Sequence, residues 1–417
     1  MIEAAVLPLM LKGSNMNYEL IAPCHFGLEA VTKKEITGLG YEITEVTDGK
    51  VSFLGDEKAI CRSNIFLRTA ERVLLKAAEF EAYTWEELFD KCYDIPWENY
   101  IPWDGWVYVA KANSVKSRLF SPKDFQTIIQ KAIVKRLQRA YKRENERLPM
   151  DGAVYALRVS ALKDRITIGI DTSGESLHKR GYRKFTAKAP ITETLAAALI
   201  MLTPWRFDRI LVDPFCGSGT FVIEAAMMAA KIAPGMERNF AATRWSNIMP
   251  KKLWYDAYDE ARALKASVDR EKLKEAVDLQ GYDIDGEMIE AARKNAELAG
   301  VAELIHFQKR DVAELSHRKR YGFIITNPPY GERIFEKNEL PELYATLGKR
   351  YRELDDWSMY VITALEDAEK HIGAKATKNR KIYNGMMKTY FYSYQGKKPE
   401  KKTTGGQYDE SDIRNRQ

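Results

Sequence analysis

One stretch decides the fold of this chain: Arg209-Ile210-Leu211-Val212-Asp213-Pro214-Phe215-Cys216-Gly217-Ser218-Gly219-Thr220-Phe221. The apolar residues before Asp213 predict a β-strand, and the alanine-rich residues 220–230 predict a buried helix. Strand, glycine turn and helix, in this order, are typical of nucleotide-binding α/β units, in which the ligand lies at the carboxyl ends of the strands. The sequence therefore predicts a binding site at Asp213 and the glycines.

The residues that follow exclude two common nucleotide-binding motifs. A dinucleotide fingerprint needs a third glycine and an acid about 20 residues further on. Here the third position is Val222, and the next acid that ends a predicted strand is Asp283. A P-loop fails as well, because no Gly-Lys-Ser/Thr follows the glycines. The Asp213 carboxylate and the glycine backbone instead suit a ligand that carries an ammonium group and no phosphate, a description that S-adenosylmethionine fits.

A second motif, Asn327-Pro328-Pro329-Tyr330, follows the apolar residues 323–326, which predict another strand. Exocyclic base amines are poor nucleophiles because their lone pair is delocalised into the ring. The Asn327 side-chain oxygen and the Pro328 carbonyl could accept both amine N–H bonds and leave the lone pair directed at a methyl group. Tyr330 could stack on a base taken out of its helix, and Gly331 would let the backbone pass close to it. Without the first motif, a simple strand-to-loop turn would be the better interpretation.

The order Asp-Pro-Phe-Cys-Gly-Ser-Gly-Thr-Phe and then Asn-Pro-Pro-Tyr-Gly resembles the amino-methyltransferases, which methylate exocyclic nitrogens of bases. The resemblance implies that S-adenosylmethionine is the cofactor and that residues 327–330 hold the target amine. Asp283 or Asp285 would accept the ribose hydroxyl protons, and a Gly-x-Asp pattern favours Asp283. Asp311 would accept from the adenine amino group, or it would cap the following turn. The expected cofactor site contains Asp213, Phe215, Gly217, Gly219, Thr220, Asp283, Ile284, Asp285, Asp311, Val312 and Asn327.

Composition sets broad limits. The chain has 417 residues, 45% of them hydrophobic, which is enough for two or three domains with their own cores. Its net charge of +6 is compatible with a nucleic-acid partner. Four cysteines without a Cys-x-x-Cys pair predict neither a disulfide framework nor a metal site, and a reducing cytoplasm is the simplest location. Residues 1–11 lack the pattern of a signal peptide, and no apolar run approaches the ~20 residues of a membrane span.

Changes in pattern along the chain predict four segments. Residues 17–80 form a small α+β unit, and residues 81–170 form a second one that contains a long helix and two closing strands. Residues 171–396 hold both motifs and are predicted to form a Rossmann-like α/β domain. That domain carries an insertion at 232–276, with aromatic residues at 240–245 that indicate packing and a helix at 251–274. Residues 397–417 are expected to form a flexible basic and polar tail.

Two clusters of basic residues are candidates for RNA contacts. The first lies on the helix predicted after Pro122, beside an apolar stripe. Its members are Lys131, Lys135 and Arg139. A solvated helix face is the alternative interpretation, although phosphate contacts would suit a base-modifying domain. The second cluster lies beside Tyr182 and Phe185, which could stack on a base. Its members are Lys179, Arg180 and Arg183.

The middle unit, with residues 114–119 before its basic helix, resembles a THUMP domain preceded by a ferredoxin-like domain, which is an RNA-binding pair. Over residues 18–394 the chain resembles the THUMP-containing guanine-N2 methyltransferases of large-subunit ribosomal RNA. The resemblance implies an α/β fold: a Rossmann-like methyltransferase domain preceded by a ferredoxin-like plus THUMP α+β region. It also implies N2-methylguanosine formation in 23S ribosomal RNA or a ribosomal precursor particle, without the second methyltransferase domain that some members carry. A guanine-N2 methyltransferase of tRNA and a non-catalytic RNA-binding assembly factor are the alternatives.

Overall fold

The computed structural model describes residues 17–143, 147–185, 191–330, 338–385 and 387–399. These residues form two seven-stranded sheets, one in each half of the chain. Residues 1–16, Gly331 and most of the predicted tail lie outside the described ranges. Within those ranges, no helix is long and apolar enough to cross a lipid bilayer.

The N-terminal sheet joins the two small units that the sequence separates. It contains β1 (Tyr18–Pro23), β2 (Ile43–Thr47), β3 (Lys50–Gly55), β4 (Leu74–Glu81), β5 (Trp106–Val115), β6 (Val154–Leu162) and β7 (Arg165–Asp171). Their spatial order is β2-β3-β1-β4-β7-β6-β5. Strand β4 pairs antiparallel with β7 along its length, from Leu74 opposite Asp171 to Glu81 opposite Arg165. The predicted units 17–80 and 81–170 therefore share one continuous sheet.

Among the described residues, this half also contains α1 (Glu29–Gly38), α2 (Glu57–Phe66), α3 (Trp85–Asp94) and α4 (Pro122–Ala140). Helix α4 is the predicted basic helix. It begins after Ser121, whose hydroxyl accepts a hydrogen bond from the Asp124 N–H, and proline is well suited to its first turn. The apolar stripe of α4 is buried, as the three-to-four spacing predicts: it consists of Phe125, Ile129, Ala132, Ile133 and Leu137.

The C-terminal sheet has a point at which its strand order reverses. It contains β8 (Leu211–Asp213), β9 (Leu279–Asp283), β10 (Ile305–Lys309), β11 (Phe323–Thr326), β12 (Ser358–Thr363), β13 (Lys378–Asn384) and β14 (Met387–Tyr394). The spatial order is β10-β9-β8-β11-β12-β14-β13, and β14 runs antiparallel to both of its neighbours. Strands β9 and β10 lie to one side of β8, and β11 lies to the other. Ligands bind beyond the carboxyl ends of the strands at such a reversal.

The described helices of this half are α5 (Glu193–Leu202), α6 (Thr220–Ala229), α7 (Lys251–Ala266), α8 (Arg270–Ala276), α9 (Gly286–Leu298), α10 (Leu340–Arg352) and α11 (Ala368–Ile372). Residues 193–200 of α5 and 220–227 of α6 are all buried. Helices that are apolar on nearly every side belong in a core, and α6 packs against β8, β9 and β10. The predicted strand, glycine turn and buried helix are therefore confirmed.

The insertion at 232–276 attaches this half to the N-terminal sheet. Its predicted single helix is two helices, because Asp269 caps α8 by accepting a hydrogen bond from the Lys272 N–H at 3.2 Å. Trp245 is fully buried, and its ring stacks on Tyr155 with 4.8 Å between the centroids. Its indole N–H donates to the Val154 carbonyl at 2.9 Å. The packing role predicted for the aromatic residues at 240–245 is thus confirmed for Trp245.

Arg180 and Tyr182, which the sequence offers as RNA contacts, are buried between the two halves. The Arg180 side chain is 1% exposed, and its Nε lies 3.4 Å from Glu224 Oε1. Its other nitrogens donate to the carbonyls of Leu177 and Arg68, at 2.6 and 2.5 Å. The Tyr182 hydroxyl donates to the same oxygen of Glu224 at 3.2 Å. The predicted RNA contact at Arg180 and the predicted stacking at Tyr182 are therefore wrong, because both side chains serve a buried carboxylate.

We expect Arg180→Leu to lower the free energy of unfolding by about 3–5 kcal/mol, because Glu224 would stay buried without its ion pair. Lys179→Ala, at a neighbouring side chain that is 60% exposed, should change it by no more than about 0.5 kcal/mol. Urea denaturation measures both. The double variant Arg180→Leu with Glu224→Leu should recover most of the loss. Equal stability of the two single variants, with weaker RNA binding by Arg180→Leu, would restore the RNA-binding interpretation.

Candidate active site

Asp213 ends the central strand at the point where the strand order reverses. The residue is 2% exposed. The Thr326 hydroxyl donates to its Oδ1 at 2.5 Å, and the Phe215 N–H donates to the same oxygen at 3.1 Å. Burial raises the pKa of Asp213 to about 7, against these two hydrogen bonds, which lower it. Burial therefore favours the neutral form of this carboxyl group more than it would for an exposed aspartate.

The glycine turn after β8 is fixed to the end of β9. The Gly217 N–H donates to Asp283 Oδ2 at 2.9 Å. Gly219 has a φ of +87°, and a Cβ there would lie 3.1 Å from both Ala292 Cβ and Phe307 Cζ, so this position requires glycine. A Cβ on Gly217 would meet no atom within 4 Å. The turn is therefore packed tightly against the protein at Gly219 and borders open space at Gly217.

Three acids follow the strands next to this turn. Asp283 ends β9, is half-buried, and accepts from the Asp285 N–H through Oδ1 at 3.0 Å. Burial raises the pKa of Asp283. Asp285 caps α9 by accepting from the Glu287 N–H at 2.9 Å. Asp311 caps the short 3-10 turn Val312–Glu314 through the Ala313 N–H at 2.7 Å. Asp311 thus caps the following turn, which is one of the two roles that the sequence offers for it. Its carboxylate has further lone pairs that can accept other hydrogen bonds.

Four other residues of the expected cofactor site differ in exposure. Ile284, between the acids of the β9 end, is 65% exposed, whereas Val312 is buried. Phe215 is half-buried, and Thr220 is buried in the first turn of α6. An exposed isoleucine at the carboxyl edge of the sheet leaves an apolar surface beside Asp283 that a flat ring could cover.

The motif 327–330 leaves the sheet directly after β11. Phe323 and Ile324 pair with Leu211 and Val212 in β8. Continuing that register by one residue places Ile325 level with Asp213, so Asn327 lies two residues beyond Asp213 on the neighbouring strand. The glycine turn and the Asn-Pro-Pro-Tyr motif therefore meet at the same edge, as the sequence predicts from their positions at strand ends.

A buried tyrosine of α10, Tyr344, is hydrogen-bonded to this motif. The Tyr344 hydroxyl donates to the Pro329 carbonyl at 3.1 Å and lies 2.7 Å from Thr363 Oγ1, at the end of β12. Tyr344 has no exposed surface, and burial raises its pKa. The bond is to the Pro329 carbonyl and not to the Pro328 carbonyl, which is the one assigned above to the target amine. No pattern in the sequence points to Tyr344, whereas Thr326 could have been noticed as the residue before the motif.

The remaining basic candidates fall into two groups. Lys131, Lys135 and Arg139 are all exposed on one face of α4. There the Lys135 ammonium lies 5.6 Å from the centroid of Phe89, and Arg139 donates to the Tyr93 hydroxyl at 3.1 Å. This face therefore combines positive charge with aromatic rings.

The second basic cluster is less accessible than predicted. Lys179 is exposed and pairs with Glu175 at 3.1 Å. The Arg183 side chain is only 13% exposed, lies 3.0 Å from Glu193 and donates to the Ile191 carbonyl at 2.6 Å. Arg183 is therefore engaged inside the protein, and its predicted RNA contact is corrected in the same way as that of Arg180.

An acid-ended central strand, a left-handed glycine turn and an Asn-Pro-Pro-Tyr motif beyond the neighbouring strand define a methyltransferase domain. The open space beside Gly217 and the acceptor atoms of Asp283 suit an adenosyl cofactor. Residues 180–392 match the RMKL-like methyltransferase domain. Residues 19–74 match the RlmL ferredoxin-like domain, and residues 82–171 match the THUMP domain. The chain belongs to the RMKL-like methyltransferase family, whose methyl donor is S-adenosylmethionine.

Relatives and a solved structure agree with this family. The chain is 45% identical to a candidate RNA methyltransferase, YpsC, of Bacillus subtilis (strain 168), covering 93% of this chain and 98% of that protein. It is 33% identical to the ribosomal RNA large subunit methyltransferase K/L of Cellvibrio japonicus (strain Ueda107), over 89% of this chain and 50% of that enzyme. The chain thus spans about half the length of the K/L enzymes.

The structure superposes with a TM-score of 0.84 on SMU.472, a candidate methyltransferase solved in complex with SAH. The two are 40% identical, and the match covers 92% of this chain and 99% of that one. The chain is therefore an S-adenosylmethionine-dependent enzyme of an RNA methyltransferase family.

Proposed function

We propose that this enzyme transfers a methyl group from S-adenosylmethionine to the N2 amine of a guanine in 23S ribosomal RNA. The observation that carries the proposal is the position of Asn327-Pro328-Pro329-Tyr330, which continues from β11 beside the acid that ends β8. The names of the K/L relatives and the match to a THUMP domain support RNA of the large subunit as the substrate class.

The cofactor is held by the turn after β8 and the acids of the neighbouring strands. Asp283 accepts from the ribose hydroxyls, and the backbone at Gly217 lets the cofactor approach closely. Gly219 contributes by letting the turn pack tightly against the protein. Asp311 accepts from the adenine amino group. The other contributors are Asp213, Phe215, Thr220, Ile284, Asp285, Val312 and Asn327. S-adenosylmethionine supplies an electrophilic methyl group on a sulfonium sulfur.

The motif prepares the amine for transfer. The Asn327 side-chain oxygen and the Pro328 carbonyl accept its two N–H bonds, and Tyr330 stacks on the base. Bound S-adenosylmethionine would supply the methyl group to the amine nitrogen, and its sulfur would take the electron pair of the broken carbon–sulfur bond. The extra proton on nitrogen passes to solvent, so the step needs no dedicated general base. Orientation supplies much of the rate, because the reacting atoms are held in line.

The exposed cations contact the RNA backbone in this proposal. Lys131, Lys135 and Arg139 on α4 present charge to phosphates, and Lys179 adds a further contact. Such contacts fix the position of the RNA and carry little sequence information.

Transfer of labelled methyl groups to separated ribosomal RNA and tRNA from cells that lack the gene, followed by nucleoside analysis, tests the function. We expect N2-methylguanosine in large-subunit RNA. Asn327→Ala should lower transfer by at least about 100-fold, as the loss of an acceptor made for the transition state does elsewhere, while the protein still binds the cofactor. N2-methylguanosine in tRNA only would show that tRNA is the substrate. No transfer to either RNA, with the cofactor bound, would point to an assembled ribosomal particle as the substrate or to a non-catalytic role.

Tyr344→Phe tests whether the hydrogen bond from Tyr344 to the Pro329 carbonyl is needed to position the motif. Losing the hydrogen bond to Pro329 should lower kcat by about ten- to a hundredfold, since small misplacements at a reacting centre have effects of that size. Cofactor affinity should not change. Tyr351→Phe is the matched control, because it removes a bond from the same helix to another backbone carbonyl, that of Trp357. Equal activity of the two variants would show that the Tyr344 bond serves stability alone.

The raised pKa of Asp213 predicts a pH dependence of cofactor binding. The cofactor carries positive charge, which favours the carboxylate, so binding below pH 7 must release the proton from Asp213. Affinity should therefore rise between pH 5.5 and about 7, by up to about tenfold per pH unit, and then level off. Asp213→Asn should flatten this profile. Calorimetry at several pH values measures it, and identical slopes in the two proteins would contradict the assignment.

A further inference from the structure

A β-hairpin projects beyond the edge of the sheet where the two motifs meet. Thr363, the last residue of β12, pairs with Tyr390, and Tyr390 pairs with Lys381. The hairpin continues past that level to Asn384. Since a strand rises about 3.3 Å per residue, Tyr383 lies about 7 Å further out than Lys381. The outer part of β13 and β14 therefore stands at the rim of the candidate active site.

A loop of the N-terminal half docks on this hairpin. His25 Nδ1 donates to the Tyr383 carbonyl at 3.2 Å, and Arg380 donates to the Gly27 carbonyl at 2.8 Å. Between these two bonds, the ring of Phe26 meets that of Tyr383 edge to face, with 6.0 Å between the centroids. The rim is thus built from both halves of the chain.

A second set of contacts holds the same loop at the start of α5. His25 Nε2 lies 3.3 and 3.4 Å from the hydroxyls of Thr192 and Thr194. It also lies 3.1 Å from Glu71 Oε1, while Glu71 Oε2 lies 3.2 Å from His178. His25 is therefore fixed from several sides, and Phe26 beside it is held in place.

The start of α5 lies at the same edge as the two motifs. The other end of α5 lines a groove with the last residues of α6, and α6 begins at the glycine turn. Helix α6 therefore extends away from the edge of the sheet where the two motifs meet, which we call the binding edge. The C-terminal end of α5 lies far from this edge. The contacts of His25 with Thr192 and Thr194 consequently place the loop at the binding edge.

Phe26 is exposed although its neighbours are fixed. It is 43% exposed, Lys381 is exposed, and the Lys381 ammonium lies 5.2 Å from the centroid of Tyr383. Single exposed apolar side chains are common. Here, however, an exposed phenylalanine lies against a tyrosine from another part of the chain, and a lysine of the same strand contacts that tyrosine. Aromatic faces with an adjacent cation are what unpaired nucleotides bind.

We propose that Phe26, Tyr383 and Lys381 form a binding site for an unpaired nucleotide that flanks the target guanine; this rests on the proposed function. Phe26 stacks on the base, and Lys381 contacts its phosphate. Strand β13 is three strands from β11, which is about 14 Å at the usual strand spacing. The site is therefore too far away to hold the target base itself and lies within reach of a neighbouring nucleotide of the same strand.

Binding of in vitro transcribed 23S ribosomal RNA to the whole protein tests this site. Phe26→Ala should weaken binding and raise KM for RNA by about tenfold, with kcat at saturating RNA, cofactor affinity and melting temperature unchanged. Phe26→Tyr should retain binding. Lys381→Ala should reduce the slope of log affinity against log salt by about one.

Phe207→Ala is the matched control. Phe207 is 46% exposed, close to the exposure of Phe26, but it lies on the groove at the end of the methyltransferase domain that is opposite the two motifs. We expect no change in RNA binding for this variant. Equal affinity of Phe26→Ala and Phe207→Ala would overturn the site.

The outcomes separate this inference from the proposed function. If the wild-type protein methylates the RNA and Phe26→Ala behaves like Phe207→Ala, the function stands and the site fails. If no methylation occurs but Phe26→Ala alone loses RNA binding, the site stands and the function fails. Absence of RNA binding by the wild-type protein would overturn the site.

Discussion

The methyltransferase domain depends on a buried carboxyl group at the end of its central strand. Asp213 has lost nearly all contact with water, and the Thr326 hydroxyl and the Phe215 N–H are the groups that offset this loss. Thr326 is the last residue of β11 and directly precedes Asn327. The hydrogen bond between Thr326 and Asp213 therefore links the strand that leads into the glycine turn to the strand that leads into the Asn-Pro-Pro-Tyr motif. A shift of either strand would move both halves of the site.

The N-terminal half is joined to this domain through buried contacts and not through a flexible linker. Arg180 and Tyr182 converge on Glu224 in α6, and Trp245 stacks on Tyr155 in β6. Flexible linkers would let an RNA-binding unit sample many distances from the site. Here the face of α4 and the loop at Phe26 stand at fixed distances from the motif. If RNA contacts these surfaces as we propose, the distance along the bound RNA would help to select which nucleotide reaches the site.

The sequence predicts the parts of the site that lie at the ends of parallel strands. Asp213, Asp283 and Asn327 each follow a short apolar run, and parallel strands bring their carboxyl ends to one edge. The pairing of β4 with β7 could not be predicted in this way, because local sequence patterns carry no information about strand partners that are so distant in the chain. The burial of Arg180 could not be predicted for the same reason, since its partner Glu224 lies on a separate helix. The break between α7 and α8 could have been found, because Asp269 precedes a helix-forming run as a capping residue does.

The capping roles of the acids bear on which of them can serve the cofactor. Asp285 stabilises the first turn of α9, and turning its carboxylate towards a ribose would remove a cap that contributes about 1 kcal/mol. Asp283 accepts one backbone N–H through each oxygen, and a carboxylate has about four lone-pair sites. It can therefore accept two ribose hydroxyl protons without losing its bonds to Gly217 and Asp285. Because one of those bonds comes from the glycine turn, Asp283 would also keep the ribose in register with that turn, which favours it over Asp285 as the ribose ligand in our proposal.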